Sequence, residues 1–341
     1  MSKIDKSYHN LLEKILQEGY TYEDPNRKGV NRLEIPYYTF RHEFKDGFPV
    51  ITTKKLNYKS VVTELIWFLR GDTNIKYLVY NGCNIWNKDA YNYSVKYGMP
   101  KDFGMENFIE NVKKGAYTAI HQDGDLDHVY GYYWRNLNGV DQISDLIQGL
   151  KDKPLGTEHI VIARNPIDKN YQALPCCHYG FQVAVRPLSF KERMKIHSNG
   201  KPMGSMMYDD SFLDSYNIPK YGFELHWQQR SVDTFLGLPY NIASYATLAL
   251  ILEKITGYKA LAIQGDLKKV HLYDNSLDAV KEQLSRDVDK YGKCELRMDV
   301  LTEVQFKKGI KHINEIEPGS FQLINYESYP HIKVEMLERD E

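Results

Sequence analysis

Two side chains of this 341-residue sequence combine reactive groups with unusual surroundings. Glu64 lies inside VVTELIWFL, where nearly every neighbour is apolar, and a carboxylate there is costly unless it is paired or transfers protons. Cys177 lies two residues after Pro175, at the start of a predicted strand and among polar residues, which favours a nucleophile. Simpler interpretations remain open. Glu64 could face solvent on a polar helix stripe, and a lone cysteine is most often an inert, small apolar side chain.

A third segment, QQRSVDTFLGLPYNIASYA at 228–246, carries further polar groups. Arg230 beside Ser231 suits an anionic ligand. Asn241 opens a predicted helix, where it could cap the first turn or present its amide, which both donates and accepts, to a base. The adjacent Cys176 and Cys177 make a poor disulfide, and no second Cys/His pair stands at zinc spacing, so we predict no metal site.

Hydrophobic periodicity and turn residues predict the elements that position these side chains. Helices are predicted at 3–18, 58–70, 141–152, 240–256 and 275–286. Strands are predicted at 35–41, 49–53, 159–164, 178–186, 222–229, near 295–305 and at 320–326, with a loop at 24–34. Many strands with a few long helices indicate an α+β fold built on one large mixed sheet. We expect a single catalytic domain over 1–341, with two inserted lobes at about 87–128 and 187–220.

Composition narrows the class of protein. The formal net charge is -1, so the overall charge gives no reason to expect a nucleic-acid polymer or an anionic membrane as partner. Four cysteines in a chain of this length are not a disulfide framework. The sequence shows no signal segment and no run of eighteen apolar residues. We therefore expect a cytoplasmic protein, in a bacterium or a phage-infected host.

Seven segments together carry a family resemblance that none of them carries alone. The chain resembles thymidylate synthase and its relatives, the nucleotide hydroxymethylases. The matching segments are DGFPVITTKK (46–55), ELIWFLRGDTNI (64–75), NIWN (84–87), VYGYYWR (129–135), ALPCCHYGFQV (173–183), QRSVDTFLGLPYNIASYATLALILEKITG (229–257) and HLYDN (271–275). The resemblance implies a thymidylate synthase-like fold whose large sheet stacks back-to-back in a homodimer.

The resemblance also implies a reaction. Cys177 would attack C6 of the pyrimidine of dUMP, which makes C5 reactive towards the one-carbon unit of 5,10-methylenetetrahydrofolate. Glu64 would move protons around O4 and the folate nitrogen. Tyr130 matches a tyrosine implicated in removing the C5 proton. Asn241 matches the residue that reads the base, and its amide can serve both N3–H and O4 of uracil, whereas an aspartate there would suit cytosine.

Further residues match positions that bind the nucleotide or the folate. For the nucleotide these are Arg27, Arg230 and Ser231 at the phosphate, His271 and Tyr273 at the sugar 3′-hydroxyl, and Gln182 and His178 as active-site polar residues. For the folate they are Trp86, Asp233, Leu236, Gly237 and Tyr240.

The sequence departs from the family pattern in four places. Thr157 and Glu158 occupy positions where synthases carry an Arg-Arg pair that reaches the partner's phosphate. Cys176 replaces the usual proline before the nucleophile, and HLYDN follows a spacing that is two residues longer than usual. The usual apolar C-terminal tail, matched by 332–336, is followed by the charged run LERDE at 337–341.

The tail bears on the product, because excluding water decides whether the activated base takes up a hydride or a hydroxyl. With the altered phosphate pair and the long insertions, it favours a deoxyuridylate 5-hydroxymethyltransferase, of the kind phages use to modify DNA. Thymidylate synthase is the alternative. A catalytically inactive relative that binds only nucleotide or RNA is a third possibility, against which Cys177, Glu64 and Tyr130 argue.

Overall fold

The computed structural model describes residues 3–201 and 208–337. The helices are α1 Lys3–Glu18, α2 Tyr58–Arg70, α3 Lys76–Tyr80, α4 Asn87–Lys96, α5 Met105–Lys114, α6 Tyr130–Asn136, α7 Gln142–Asp152, α8 Phe190–His197, α9 Asp210–Ser215, α10 Leu238–Thr256, α11 Leu277–Leu284 and α12 Val300–Lys307. The strands are β1 Tyr20–Glu23, β2 Asn31–Glu43, β3 Tyr117–Thr118, β4 His121–Gln122, β5 Ile160–Ile162, β6 His178–Pro187, β7 Tyr221–Gln229, β8 Val232–Asp233, β9 Lys259–Tyr273, β10 Glu295–Met298 and β11 Phe321–Ile324.

One seven-stranded sheet organises the molecule, in the order β1-β2-β9-β7-β6-β5 with β8 also paired to β9. β7 and β8 run parallel to β9, and the remaining pairs are antiparallel. The prediction of an α+β fold with one large mixed sheet is confirmed. The division into one domain with two inserted lobes stays a prediction.

Two helices carry the core that supports the sheet and the site. α10 is apolar on nearly all sides, as expected for a helix surrounded by protein, and it packs against α2 and β9. α2 buries ten of its thirteen residues. Its first turn is capped by the side chain of Asn57, which accepts from the Ser60 amide, and it ends at Gly71 in the left-handed conformation. Glu64 is thereby fixed on a rigid helix.

Several predicted elements differ in the structure. Residues 49–53 are not a strand, because the amides and hydroxyls of Thr52 and Thr53 bind the buried Asp5 carboxylate instead of a neighbouring strand. The predicted strand near 295–305 ends at Met298, where Asp299 caps α12 through the Thr302 amide. The predicted loop at 24–34 is shorter, since β2 begins at Asn31.

The longest strand, β9, was not predicted at all. Its sequence KALAIQGDLKKVHLY is interrupted by GDLKK, which hides the alternation of apolar and polar residues. Gly265 lies under the Trp227 ring, where a Cβ atom would come within 2.3 Å of the indole. Lys269 has a positive φ of 46°. The strand therefore depends on long-range packing that the local pattern does not display.

The two regions predicted as inserted lobes contain regular structure. Residues 87–128 form α4, α5 and the short β3–β4 hairpin, where an irregular segment was expected. Residues 187–220 contain α8 and α9, and part of this region lies outside the described residues. Among the described residues, no helix has both the length and the apolar character that a membrane span requires.

Candidate active site

Cys177 lies one residue before β6, where two neighbours define its surroundings. Its amide donates to the hydroxyl oxygen of Tyr130 at 2.8 Å. The Arg230 guanidinium approaches the Cys177 sulfur, with Nη2 3.7 Å from Sγ. A cation at this distance stabilises the negative charge of a thiolate. Cys177 is only partly buried, so a ligand can reach it beside the Arg230 cation.

The neighbouring Cys176 has the opposite character. It is only 4% exposed, and burial raises the pKa of its thiol. Its carbonyl accepts from Nε of Arg230 at 3.0 Å, so its backbone helps to hold the guanidinium while its sulfur points into the core. Of the two adjacent cysteines, Cys177 is the one that can act as a nucleophile.

Glu64 is half-buried, and its carboxyl group has one described hydrogen-bond partner. The indole Nε1 of Trp86 donates to Oε1 of Glu64 at 2.7 Å. Burial is the main influence and raises the pKa of Glu64 to about 7, although the Trp86 hydrogen bond opposes the rise. A carboxyl group with that pKa can both release and accept a proton near neutral pH. The Trp86 hydrogen bond and this partial burial argue against the interpretation of Glu64 as a solvent-facing residue.

An aromatic group connects Glu64 with Cys177. The rings of Tyr130 and His178 stack with centroids 4.0 Å apart, and Phe68, one turn after Glu64, lies 4.6 Å from Tyr130. Burial lowers the pKa of His178 to about 3, so its ring stays neutral near pH 7. Burial raises the pKa of Tyr130 well above its ordinary value. His178 and Tyr130 therefore act here as neutral groups.

Asn241 lies inside the first turn of α10, which begins at Leu238, so it is not the helix cap. Its Oδ1 accepts from Nε2 of Gln229 at 3.1 Å. Gln229 is itself held by Trp227, whose Nε1 donates to Oε1 at 3.2 Å, and by the Ser231 carbonyl at 3.2 Å. This chain of bonds orients the Asn241 amide, leaving its NH₂ group and one oxygen lone pair for another partner.

A second cluster lies where β8 pairs with β9. Arg27 donates through Nη1 to the Tyr273 hydroxyl at 2.8 Å, and the ring of His271 lies 4.9 Å from that of Tyr273. Asp233 is paired with His271 across the strands. Arg27 also donates through Nε to the carbonyl of Leu337 at 3.3 Å, which brings the C-terminal segment next to this cluster.

Comparison with known proteins decides the family. The family model described as thymidylate synthase matches residues 6–338. The chain is 36% identical over 336 residues to a thymidylate synthase of Mycoplasma mobile, which covers 97% of this chain and 99% of that protein. It is 34% identical over 330 residues to one of Malacoplasma penetrans, with 96% and 98% covered. This chain belongs to the thymidylate synthase family. It is therefore an enzyme.

The fold comparison agrees. The crystal structure of thymidylate synthase from T4 phage superposes with a TM-score of 0.74, at 31% sequence identity, covering 98% of this chain and 100% of that one. The thymidylate synthase-like fold predicted from the sequence is confirmed. The hydroxymethylase subtype is not confirmed, and the relatives named here are thymidylate synthases.

Two of the residues that the family resemblance assigns to the folate, Trp86 and Tyr240, lie close to Glu64. Oδ1 of Asp233 accepts from the amides of Phe235 and Leu236, at 3.1 and 3.0 Å, so its second oxygen is left for another donor. The Gly237 amide donates to the Asp233 carbonyl at 3.1 Å, which tightens the turn before α10. Tyr240 lies near enough to Glu64 for the two groups to interact electrostatically.

Gln182 is a predicted site residue whose described contacts lie away from Cys177 and Glu64. A β-bulge between His178 and Gly180 shifts the register of β6 against β7, so Gln182 pairs with His226 on the open face of the sheet. Its Nε2 donates to the Thr157 carbonyl at 3.0 Å. Thr157 and Glu158 are both exposed, beside the edge strand β5.

Lys54, a residue without a predicted role, lies against Phe235 in the turn before α10. Lys54 is a buried amine that donates to the Phe235 carbonyl and lies over the Phe235 ring. Burial lowers the pKa of Lys54 to about 7. The signal was available in VITTKK, a lysine directly after an apolar run.

Among residues 3–201 and 208–337, no group of three His, Cys, Asp or Glu side chains is placed to hold a metal ion.

Proposed function

We propose that this enzyme is a thymidylate synthase, which converts dUMP to dTMP with 5,10-methylenetetrahydrofolate as co-substrate. The observation that carries the proposal is the assembly of Cys177, Arg230, Tyr130 and Glu64 in a chain that aligns almost end to end with proteins of that name. The folate would supply both the one-carbon unit and the hydride, and would leave as dihydrofolate.

Each residue has a task that follows from its contacts. The Cys177 thiolate, held beside Arg230, would add to C6 of uracil and leave again as the product forms. Arg230, Ser231 and Arg27 would bind the 5′-phosphate. Glu64, with a pKa of about 7, would exchange protons with O4 through water. The neutral Tyr130 hydroxyl would accept a hydrogen bond from the Cys177 amide and relay the C5 proton.

Base recognition falls to Asn241, and a substitution there tests it. The orientation fixed by Gln229 leaves an NH₂ donor for O4 of uracil and an acceptor for N3–H. Asn241→Asp is expected to lower kcat/KM for dUMP by roughly 100-fold and to raise the relative binding of dCMP, because an unpaired buried polar group costs about 1–3 kcal/mol. Gln228→Asn serves as the control, since Gln228 lies on the other face of β7. Unchanged selectivity would refute this role.

The hydroxymethyl product remains the second candidate, and the relatives weaken its support. Long insertions were one argument for it. However, the alignments with two relatives named thymidylate synthase span 96–97% of this chain and 98–99% of those relatives, so chains of nearly this length carry that name. Of the charged tail, residues 338–341 lie outside the described residues. Up to Leu337 the segment is anchored, since Asn275 donates to the Glu335 carbonyl at 2.9 Å and Arg27 binds Leu337. Near-complete alignment therefore favours the methyl product.

One assay separates the two products. Purified protein is incubated with dUMP and 5,10-methylenetetrahydrofolate, the nucleotide is weighed by mass spectrometry, and dihydrofolate is followed by its absorbance. We expect dTMP with one dihydrofolate for each nucleotide, and no product from Cys177→Ala. A hydroxymethyl nucleotide without dihydrofolate would replace the proposal with the hydroxymethyltransferase. No product of either kind would overturn both.

We further propose that the enzyme is a homodimer joined through its sheet. The face of the sheet away from α10 carries exposed apolar side chains, with Tyr37 at 65%, Ile160 at 48% and Ile162 at 44% exposure. Exposed apolar groups on one sheet face favour a protein partner. We expect the partners to be a second copy of the chain, dUMP and folate, with no membrane and no nucleic-acid polymer.

A further inference from the structure

A cavity of about 430 Å³ lies beside the nucleophile, between the end of β5 and the segment that leads into β6. Two guanidinium groups line it, those of Arg164 and Arg230, together with the amide side chains of Asn165 and Gln172. None of the described residues that line it carries a carboxylate. The cavity is therefore cationic and offers hydrogen-bond donors.

Arg230 is held rigidly at one side of the cavity. Its backbone amide donates to the Cys177 carbonyl at 2.8 Å, and its Nε and Nη2 donate to the carbonyls of Cys176 and Pro175 at 3.0 and 2.7 Å. Nη1 has no hydrogen bond to any described residue. A fixed guanidinium with one free edge is preorganised for an anion.

Arg164 faces the cavity from an anchored backbone. The amide of Ala163 donates to the Tyr179 carbonyl at 2.9 Å, and the amide of Asp168 donates to the Asn165 carbonyl at 3.1 Å. The side-chain oxygen of Asn165 also accepts from the Ile167 amide at 3.1 Å. The Arg164 side chain is exposed and has no ion pair or hydrogen bond within residues 3–201 and 208–337.

We propose that Arg164 is a specificity-determining ligand for the 5′-phosphate of the nucleotide, acting beside Arg230 in the same chain. This assignment rests on the proposed function and names the group that compensates for the cations missing at Thr157 and Glu158. Two guanidinium forks on one dianion give charge-assisted, directional bonds, and neither arginine has a competing carboxylate in the cavity. Arg164 binds the phosphate, and it does not contact the reacting carbon.

Calorimetric binding to the full-length protein tests the assignment, with dUMP, deoxyuridine and inorganic phosphate as three separate probes. Arg164→Ala is expected to raise the Kd for dUMP and for phosphate by roughly 10- to 100-fold, because a hydrogen bond to a charged group contributes about 1.5–3 kcal/mol. Binding of deoxyuridine, which has no phosphate, should be unchanged. Arg164→Lys should retain part of the affinity, since it keeps the charge but loses the fork.

Arg297→Ala is the matched control, because Arg297 is also exposed, and it lies on the separate two-stranded sheet of β10 and β11. Equal dUMP and phosphate affinities in wild type and Arg164→Ala would overturn the assignment. Parallel losses for dUMP and deoxyuridine would also overturn it, since they would show a structural role. The product assay on the wild-type protein separates these failures from a failure of the proposed function, because phosphate binding needs no turnover.

Discussion

Replacing Cys177 by alanine is expected to lower dTMP formation by roughly 10⁴-fold or more, because the covalent route to an activated C5 is then lost entirely. The same change at Cys176 should alter kcat/KM by less than about tenfold. Cys176 is buried, burial raises the pKa of its thiol, and its carbonyl accepts a hydrogen bond from Arg230. The two adjacent sulfurs thus make a matched pair in which only exposure and charge environment differ.

The measurement is steady-state kcat/KM for dUMP at saturating folate, with thermal unfolding of each variant as the check on folding. Truncating Cys176 leaves a small cavity, which we expect to cost about 1 kcal/mol of stability. Equal losses in the two variants would contradict the assignment of the nucleophile. So would a Cys177→Ala protein that keeps more than about a tenth of its activity.

Glu64→Gln is expected to reduce kcat by roughly 10²- to 10⁴-fold and, at the same time, to stabilise the protein at alkaline pH. The amide still accepts from Trp86 Nε1, so the geometry is kept, but it cannot transfer a proton. Burial raises the pKa of Glu64 from its ordinary value of 4.5 to about 7. At neutral pH and above, the wild-type protein therefore maintains an unfavourable buried charge.

The pH dependence has a definite sign. Between about pH 4.5 and pH 7 the folded protein keeps the Glu64 proton that the unfolded chain has released, so this group's contribution to stability falls as pH rises through that window. Glutamine does not titrate. The free energy of unfolding of Glu64→Gln relative to wild type should consequently increase by about 2 kcal/mol between pH 5 and pH 8.

Urea unfolding at several pH values measures this difference, with Glu106→Gln as the control. Glu106 is exposed in the first turn of α5, so its replacement removes a carboxylate without removing a buried one. A difference between Glu64→Gln and wild type that is independent of pH would show that Glu64 ionises normally. Full activity in the glutamine variant would remove its role in proton transfer.

Several candidate site residues could be predicted from the sequence, because the patterns that single them out involve only neighbouring residues. The α2 helix follows from the spacing of its apolar residues, and a carboxylate within that run singled out Glu64 as a candidate proton-transfer group. The position of Cys177 shortly after Pro175 and directly before an apolar strand predicted a nucleophile at the start of that strand. The α+β class followed from the alternation of strand and helix patterns, which requires no knowledge of which strands pair.

Tertiary structure decided what depends on residues far apart in the chain. The pKa of Glu64 follows from burial and Trp86, and the orientation of Asn241 from Gln229, which local periodicity cannot show. The bulge after His178 reverses the face on which Gln182 lies, because side chains along a strand alternate and one extra residue shifts all that follow. β9 was hidden for a related reason: its polar interruption is stabilised by partners on other strands. The residue types fixed the chemistry available to this protein, and long-range packing selected which of them share one site.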